Sequence, residues 1–246
     1  MQALYNTSIL ELKRMFRNSY FVFFSLLLPF LFYVLFTAMY GDDLSIAGTK
    51  WEAYFLVSMT CFGLISASVQ SFGIQLVYDR QQPWLNWLFT HPIKRFSYFM
   101  GRILSQLCLN GLMVLLLFTV IGVWKGIELS FWTWILVGGW VWLGALPFLA
   151  LGVWVSTMTK VETASGVANI VALGLAILGG LWTPVENMPG ILQTITEWSP
   201  AYLYANGAWS LLSGEGMSIY QHLIYFLYFL LFMIGAMITH HQLRRE

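Results

Sequence analysis

Few side chains in this 246-residue chain are of a kind that does covalent chemistry, and their spacing assembles no reactive group. The histidines are His91, His222, His240 and His241; only the last two are neighbours, and no H-E-x-x-H or G-x-S-x-G pattern accompanies them. Hydrolysis would need such a metal cluster, or a Ser or Asp nucleophile with a base in reach. A phosphate loop of the form G-x-x-x-x-G-K-[ST] is missing too, since Gly48-Thr49-Lys50 lacks the preceding glycine. The chain is not expected to be an enzyme by itself. Cys61 and Cys108 both lie in apolar runs and read as small buried hydrophobes, with no disulfide implied.

What remains is a set of uncharged polar side chains embedded in apolar sequence. Ser66 and Gln70 share a helical face with Gly63 and Gly73, and Gln75 follows nearer the end of the same run. Gln106 and Asn110 lie in the next run, Ser165 and Asn169 in a later one. An amide in lipid costs free energy unless it finds a partner or water, so these groups should point into a bundle or a cavity. Hydrogen bonding between helices and lining of a path both fit. No Asp, Glu, Lys or Arg falls near the middle of an apolar run, which argues against an ion-coupled transporter.

Membrane-spanning helices must position these residues. With 59% hydrophobic and 9% charged residues and a mean hydropathy of +0.71, the chain could not keep a water-facing surface as a globule. Six runs have spanning length, near 20–40, 54–78, 98–124, 131–156, 164–182 and 219–239. The first is longer than a signal-peptide core and is kept as a span. The expected fold is an all-α polytopic membrane protein, one transmembrane domain over 1–246.

Charge gives the orientation. Lys13, Arg14 and Arg17, then Arg80, Lys94, Arg95 and Arg102, then Lys160, and finally Arg244 and Arg245 all fall on one side of a six-span chain. Only Lys50 and Lys125 of the 12 basic residues fall on the other, together with Asp42, Asp43, Glu52, Glu128, Glu186, Glu197 and Glu215. The positive-inside rule then makes both termini cytoplasmic. No charged tail points to nucleic acid.

Three pieces outside the spans carry pattern. Before the first run, Ser8-x-x-Glu11 forms a capping-box pattern, and Ile9, Leu12 and Phe16 share a face, with Lys13, Arg14 and Arg17 largely on another. An amphipathic interfacial helix over about 5–19 is expected, its cations near lipid headgroups. Between the second and third runs sits "DRQQPWLNWLFTHPIKR", Asp79 to Arg95. Pro83 suits a first helical turn and Pro92 ends the helix by disfavouring the helical state at His91. A short helix within about 80–92 would carry Trp84, Leu85, Leu88 and Phe89, with Trp87 in the same cluster. It is an apolar plug for a groove on a soluble partner, or a row of headgroup-level aromatics; both readings stay open.

The third piece is the loop from Thr183 to Ser218. Pro189 opens a short helix carrying Ile191, Leu192, Ile195 and Trp198, and Pro200 closes it. The loop is too apolar to stand in water and is expected to re-enter or lie on the outer leaflet as a lid. Just before it, Ala168, Ala172, Ala176 and Gly180 recur every four residues, a smooth strip for close approach of a neighbouring helix or of a second copy.

The pattern resembles the membrane subunits of type-2 ATP-binding-cassette exporters, the ABC-2 permeases, over nearly the whole chain. Asp79-Arg80 stands where that family has an acidic-basic pair, Leu88 with Pro92-Ile93 matches its "L-x-x-x-P-I" continuation, and Gly101-Arg102 matches the small-basic pair opening span three. Trp182, Pro184, Met188-Pro189, Leu192 and Pro200 match its outer-loop pattern. Pro83 departs from a position where the family commonly has glycine.

The resemblance implies a division of labour. Asp79, Arg80, Trp84, Leu85, Leu88, Phe89 and Pro92 would form or flank a coupling helix seated on a separate ATPase subunit, which binds the ATP and Mg; no cofactor is expected in this chain. Two permease copies, a homodimer, would meet at the strip of Ala168, Ala172, Ala176 and Gly180. Ser66, Gln70, Ser165 and Asn169 would line the path, and Trp182, Pro184, Glu186, Pro189 and Pro200 an outer lid. Surrounded by membrane lipids in the cell membrane, the assembly would export an amphipathic or lipid-like drug, antibiotic, peptide or lipid. A non-transporting partner of a sensor built on the same scaffold is the alternative.

Overall fold

The computed structural model describes residues 19–40, 45–46, 49–88, 90 and 95–242. The expected interfacial helix before Ser19, and Phe89, His91 and Pro92 of the coupling segment, lie outside these residues. Helix α1 is Ser19–Tyr40, and a two-residue antiparallel ladder, β1 (Ser45–Ile46) with β2 (Thr49–Lys50), follows it. The second span is α2 (Trp51–Ser66), a π-helical segment Ala67–Phe72 and α3 (Gly73–Gln81), ending at the short α4 (Pro83–Leu88). Then come α5 (Arg95–Lys125), α6 (Phe131–Leu143), α7 (Leu146–Val155) and α8 (Val161–Leu178). A 3-10 turn at Val185–Asn187 leads to α9 (Gly190–Trp198), α10 (Pro200–Ser213) and α11 (Ile219–Gln242).

Five helical stretches among the described residues are long and apolar enough to cross a membrane: Trp51–Gln81, Tyr98–Lys125, Phe131–Val155, Val161–Leu178 and Ile219–Thr239. Helix α1, the first expected span, has a shorter described apolar stretch, Leu26–Met39. The chain is a multi-pass, helical membrane protein.

The second span is the centre of the bundle. Of its most apolar window 83% is buried, against 17% for the last span, so the other helices are arranged around it. Two close approaches allow this. A Cβ on Gly63 would come within 2.8 Å of Pro29, the proline inside α1. A Cβ on Gly152 of α7 would overlap the Ser68 carbonyl of the π-helical segment, and one on Gly73 would sit 2.9 Å from the Gly152 carbonyl. Glycine lets helix backbones touch where any side chain would hold them apart. The expected common face of Gly63, Ser66, Gln70 and Gly73 is therefore not formed: Gly63 meets α1 and Gly73 meets α7. The wider turns of the π-helix change the register between them.

The fourth span is broken where the sequence reads Gly144-Ala145-Leu146-Pro147. Pro147 has no N–H to donate and its ring displaces the preceding turn. The Ala145 amide bonds to Trp142 rather than to Val141, and the Phe148 amide to Ala145 rather than to Gly144. Carbonyls freed in this way would be costly within a bilayer unless neighbours satisfy them. Tyr204 of α10 donates its hydroxyl to the Val141 carbonyl, and Tyr225 of α11 donates to Gly144. The two tyrosine rings stack with centroids 6.2 Å apart.

Between α8 and α11, α9 is strongly amphipathic, exposing Ile191, Leu192, Ile195 and Trp198 while burying Thr196. Pro200 does more than close α9: it sits at the first turn of α10, where its missing N–H costs nothing. Helix α10 is buried against the second span, with Trp209 stacked on Tyr54 at 4.5 Å and its indole N–H donated to Ser58 Oγ at 3.1 Å.

Candidate coupling site and polar seam

Gln82 separates α3 from α4. It is extended (φ −82°, ψ 133°), as a residue preceding proline should be, so the helical path breaks between α3 and α4. The Thr90 side chain and amide both bond the Trp87 carbonyl and finish the turn. On α4, Leu85 is buried in the chain and Leu88 half-buried, whereas Trp84 and Trp87 are exposed, Trp87 most of all at 65%. Leu85 is thus corrected from a partner-facing anchor to one that roots α4 in its own bundle. Trp87, which the sequence reading did not place among the coupling residues, is the more exposed of the two tryptophans.

The base of α4 is a junction of charged and polar groups. Asp79 pairs with Arg102 of α5, Nη2 to Oδ2 at 2.9 Å, both side chains almost completely buried. Tyr98 donates its hydroxyl to Asp79 at 3.1 Å, and Arg102 donates to Gln75 Oε1 at 3.2 Å. The acidic-basic neighbours Asp79 and Arg80 therefore part company. Arg80 turns the other way and donates to the Met158 carbonyl, while Gln81 Nε2 donates to Thr159 at 2.9 Å. Both acceptors lie in the turn joining α7 to α8. The Trp84 ring meets the Tyr98 ring edge-on at 6.2 Å, so α4 touches the same network.

From there a polar seam runs into the membrane. Tyr98, Arg102, Gln106 and Asn110 recur every four residues and occupy one face of α5. Gln106 Nε2 donates to Asn110 Oδ1 at 3.0 Å, and Asn110 Nδ2 donates to Ser68 Oγ in the π-helical segment at 3.1 Å. Gln106, Asn110 and Ser68 are fully buried. The four-residue recurrence was visible in the sequence; its target, Ser68, was not, because π-helical register cannot be read from an α-helical wheel.

The other expected residues distribute as follows. Ser66 and Gln70 are half-buried, and the buried Ser66 hydroxyl finds no hydrogen-bond partner among the described residues. Ser165 is half-buried and Asn169 exposed on α8, which packs on the π-helical segment and α3. Ala168, Ala172 and Ala176 are completely buried within this one chain, so the strip serves packing inside the bundle and is not open to a second copy. Gly180 is not on the strip: α8 ends at Leu178, and Gly180 has a positive φ of 66° in the turn beyond it. Cys61 is buried as expected, but Cys108 is exposed. Beyond α8, Trp182 lies edge-on to Phe32 and Phe62 at 5.5 and 5.4 Å. Pro184 is buried, Pro200 half-buried, and Glu186 and Pro189 are exposed.

A central span ends at a short helix with exposed tryptophans, and the neighbouring helices are tied to that end by the Asp79–Arg102 and Arg80–Met158 contacts. Residues 4–213 match the family described as ABC-2 type transporter, and the chain belongs to that family. Among characterised sequences it is 37% identical over 234 residues to the protein named "Putative transport permease YvfS" of Bacillus subtilis (strain 168), with 95% of each chain covered. The chain is a transporter permease subunit.

Proposed function

We propose that this permease is the membrane half of an ATP-driven exporter, with α4 as the coupling helix seated in a groove of a separate ATPase subunit that binds ATP and Mg. One observation carries the reading: the exposed Trp84 of α4 packs on Tyr98, whose hydroxyl binds Asp79, whose carboxylate holds Arg102. A displacement of α4 is thereby delivered to spans two and three together, and through Arg80 and Gln81 to the turn between spans four and five. Exposed tryptophan on a short rigid element is the kind of anchor that partner grooves take up.

In this reading the basic side, with α4, is cytoplasmic, and six spans place both termini there. A second copy completes the pump. The exposed face of α8, with Asn169, Ile170, Leu173 and Ile177, is where a partner or the path would lie, because an amide facing bulk hydrocarbon is disfavoured. The cargo class is amphipathic or lipid-like, in keeping with a bundle lined by aliphatic and aromatic side chains. The test is reconstitution with the cognate ATPase in vesicles. ATP-dependent export of an amphipathic cargo supports the proposal, and transport by the permease without any ATPase refutes it.

A further inference from the structure

Outside the seam, a groove of about 960 Å³ lies between α5 and α6. Its wall is almost wholly apolar, with Gly111 and Gly122 from α5 and Gly138 and Gly139 from α6. Two indoles cross it: Trp134 rests on Gly122, and Trp142 rests on Gly111 while donating its N–H to the Leu107 carbonyl at 2.8 Å. A Cβ at Gly139 would meet nothing within 4 Å among the described residues, which leave the space beside it unfilled. A second, smaller groove shares Gly139 and Ile135, which leaves this stretch of α6 thin on both sides.

We propose that the α5–α6 groove seats the acyl chains of one resident zwitterionic phospholipid, whose headgroup lies at the Lys125 end. Both walls belong to membrane-crossing stretches, so hydrocarbon bathes the groove, and an empty one would forfeit dispersion contacts along its length. A second helix is the wrong shape. It is about 10–12 Å across with its side chains, and the projecting Leu115, Val123 and Ile135 leave a channel rather than a flat strip. Water is excluded by the lack of polar partners. Polarity lies just past the groove's end. One turn beyond Gly122, Lys125 pairs with Glu52 at 3.0 Å and lies 5.7 Å from the Trp124 ring. A cation and an anion side by side complement the phosphate and ammonium of one headgroup, and the exposed Trp124 and Trp132 mark that end as interfacial. The inference rests on the membrane placement of α5 and α6, not on the coupling role of α4, so failure of ATPase binding would leave it untouched.

The test is native mass spectrometry of the full chain purified in mild detergent and titrated with dioleoyl phosphatidylethanolamine. One adduct per chain should persist after other lipid is stripped, and Gly139→Leu, which fills open space, should weaken it by about tenfold. Independently, a bimane label on the exposed Cys108 in the groove wall should be quenched by the chain-brominated lipid at trace mole fraction. Adducts unaffected by Gly139→Leu, quenching merely proportional to bulk lipid, or efficient Cys108–Cys108 cross-linking that shows a second copy in the groove would each overturn the proposal.

Discussion

Asp79 and Arg102 form a buried ion pair of 2.9 Å between the second and third spans, at the foot of α4. Two ions withdrawn from water repay their desolvation only while both are present and further bonded, here by Tyr98 and Gln75. Removing one partner takes the ion pair from a charge that stays buried. Arg102→Ala should cost about 3–5 kcal/mol of stability, read as a fall in thermal midpoint in detergent. The double variant Asp79→Leu with Arg102→Met should recover much of the loss. Additive losses would mean that the two residues act independently.

The two faces of α4 should separate cleanly. Trp87→Glu should leave insertion and thermal stability intact while ATPase co-purification falls by a hot-spot amount, about 2 kcal/mol or more. Leu85→Glu should instead unfold the foot of α4, because Leu85 is 4% exposed. Equal stability losses in the two variants would contradict the assignment of faces.

At the break in span four, Tyr225→Phe removes the donor to the Gly144 carbonyl without changing the ring packing. A buried acceptor left unmet costs about 1–3 kcal/mol. The same change at Tyr228, whose hydroxyl meets the Trp198 carbonyl from within the same membrane-crossing stretch, should cost as much, because lipid cannot replace the bond. Parallel thermal scans of the two variants decide the point.

Glycines should divide by what surrounds them. Gly152→Ala forces a Cβ into the Ser68 carbonyl and should destabilise by about 1–3 kcal/mol or more. Gly174→Ala, in open space on α8, should instead stabilise by about 0.5–1 kcal/mol through loss of chain entropy. Thermal midpoints shifting in opposite directions would bear this out, and a common direction would refute it.

Much of the architecture was legible because length and hydropathy alone decide where a chain can cross lipid. The long helices begin and end within a few residues of the apolar runs, and Pro83, Pro189 and Pro200 mark the short ones. What escaped was contact and register. Nothing in the sequence said that Ala168, Ala172 and Ala176 would be used up inside one chain, since a small-residue strip serves an internal or an external neighbour equally well. The π-helical turn at Ala67–Phe72 has no compositional mark, and it changes the register of the residues beyond it. Leu85 and Trp87 were hard to sort because two turns of helix carry too few residues to define an inward face. The break at Gly144 had a signal, Gly followed three residues later by Pro, but the tyrosines that make it tolerable come from distant elements.

Gly152 lies against the Ser68 carbonyl, and the Gly152 carbonyl against Gly73, so two spans have no clearance over this short stretch. Rods held together over so short a stretch can rock but cannot part there. The site is thus a natural fulcrum: a gap widening between those rods toward one face must narrow toward the other, so a pore open to both compartments at once is geometrically disfavoured for this pair.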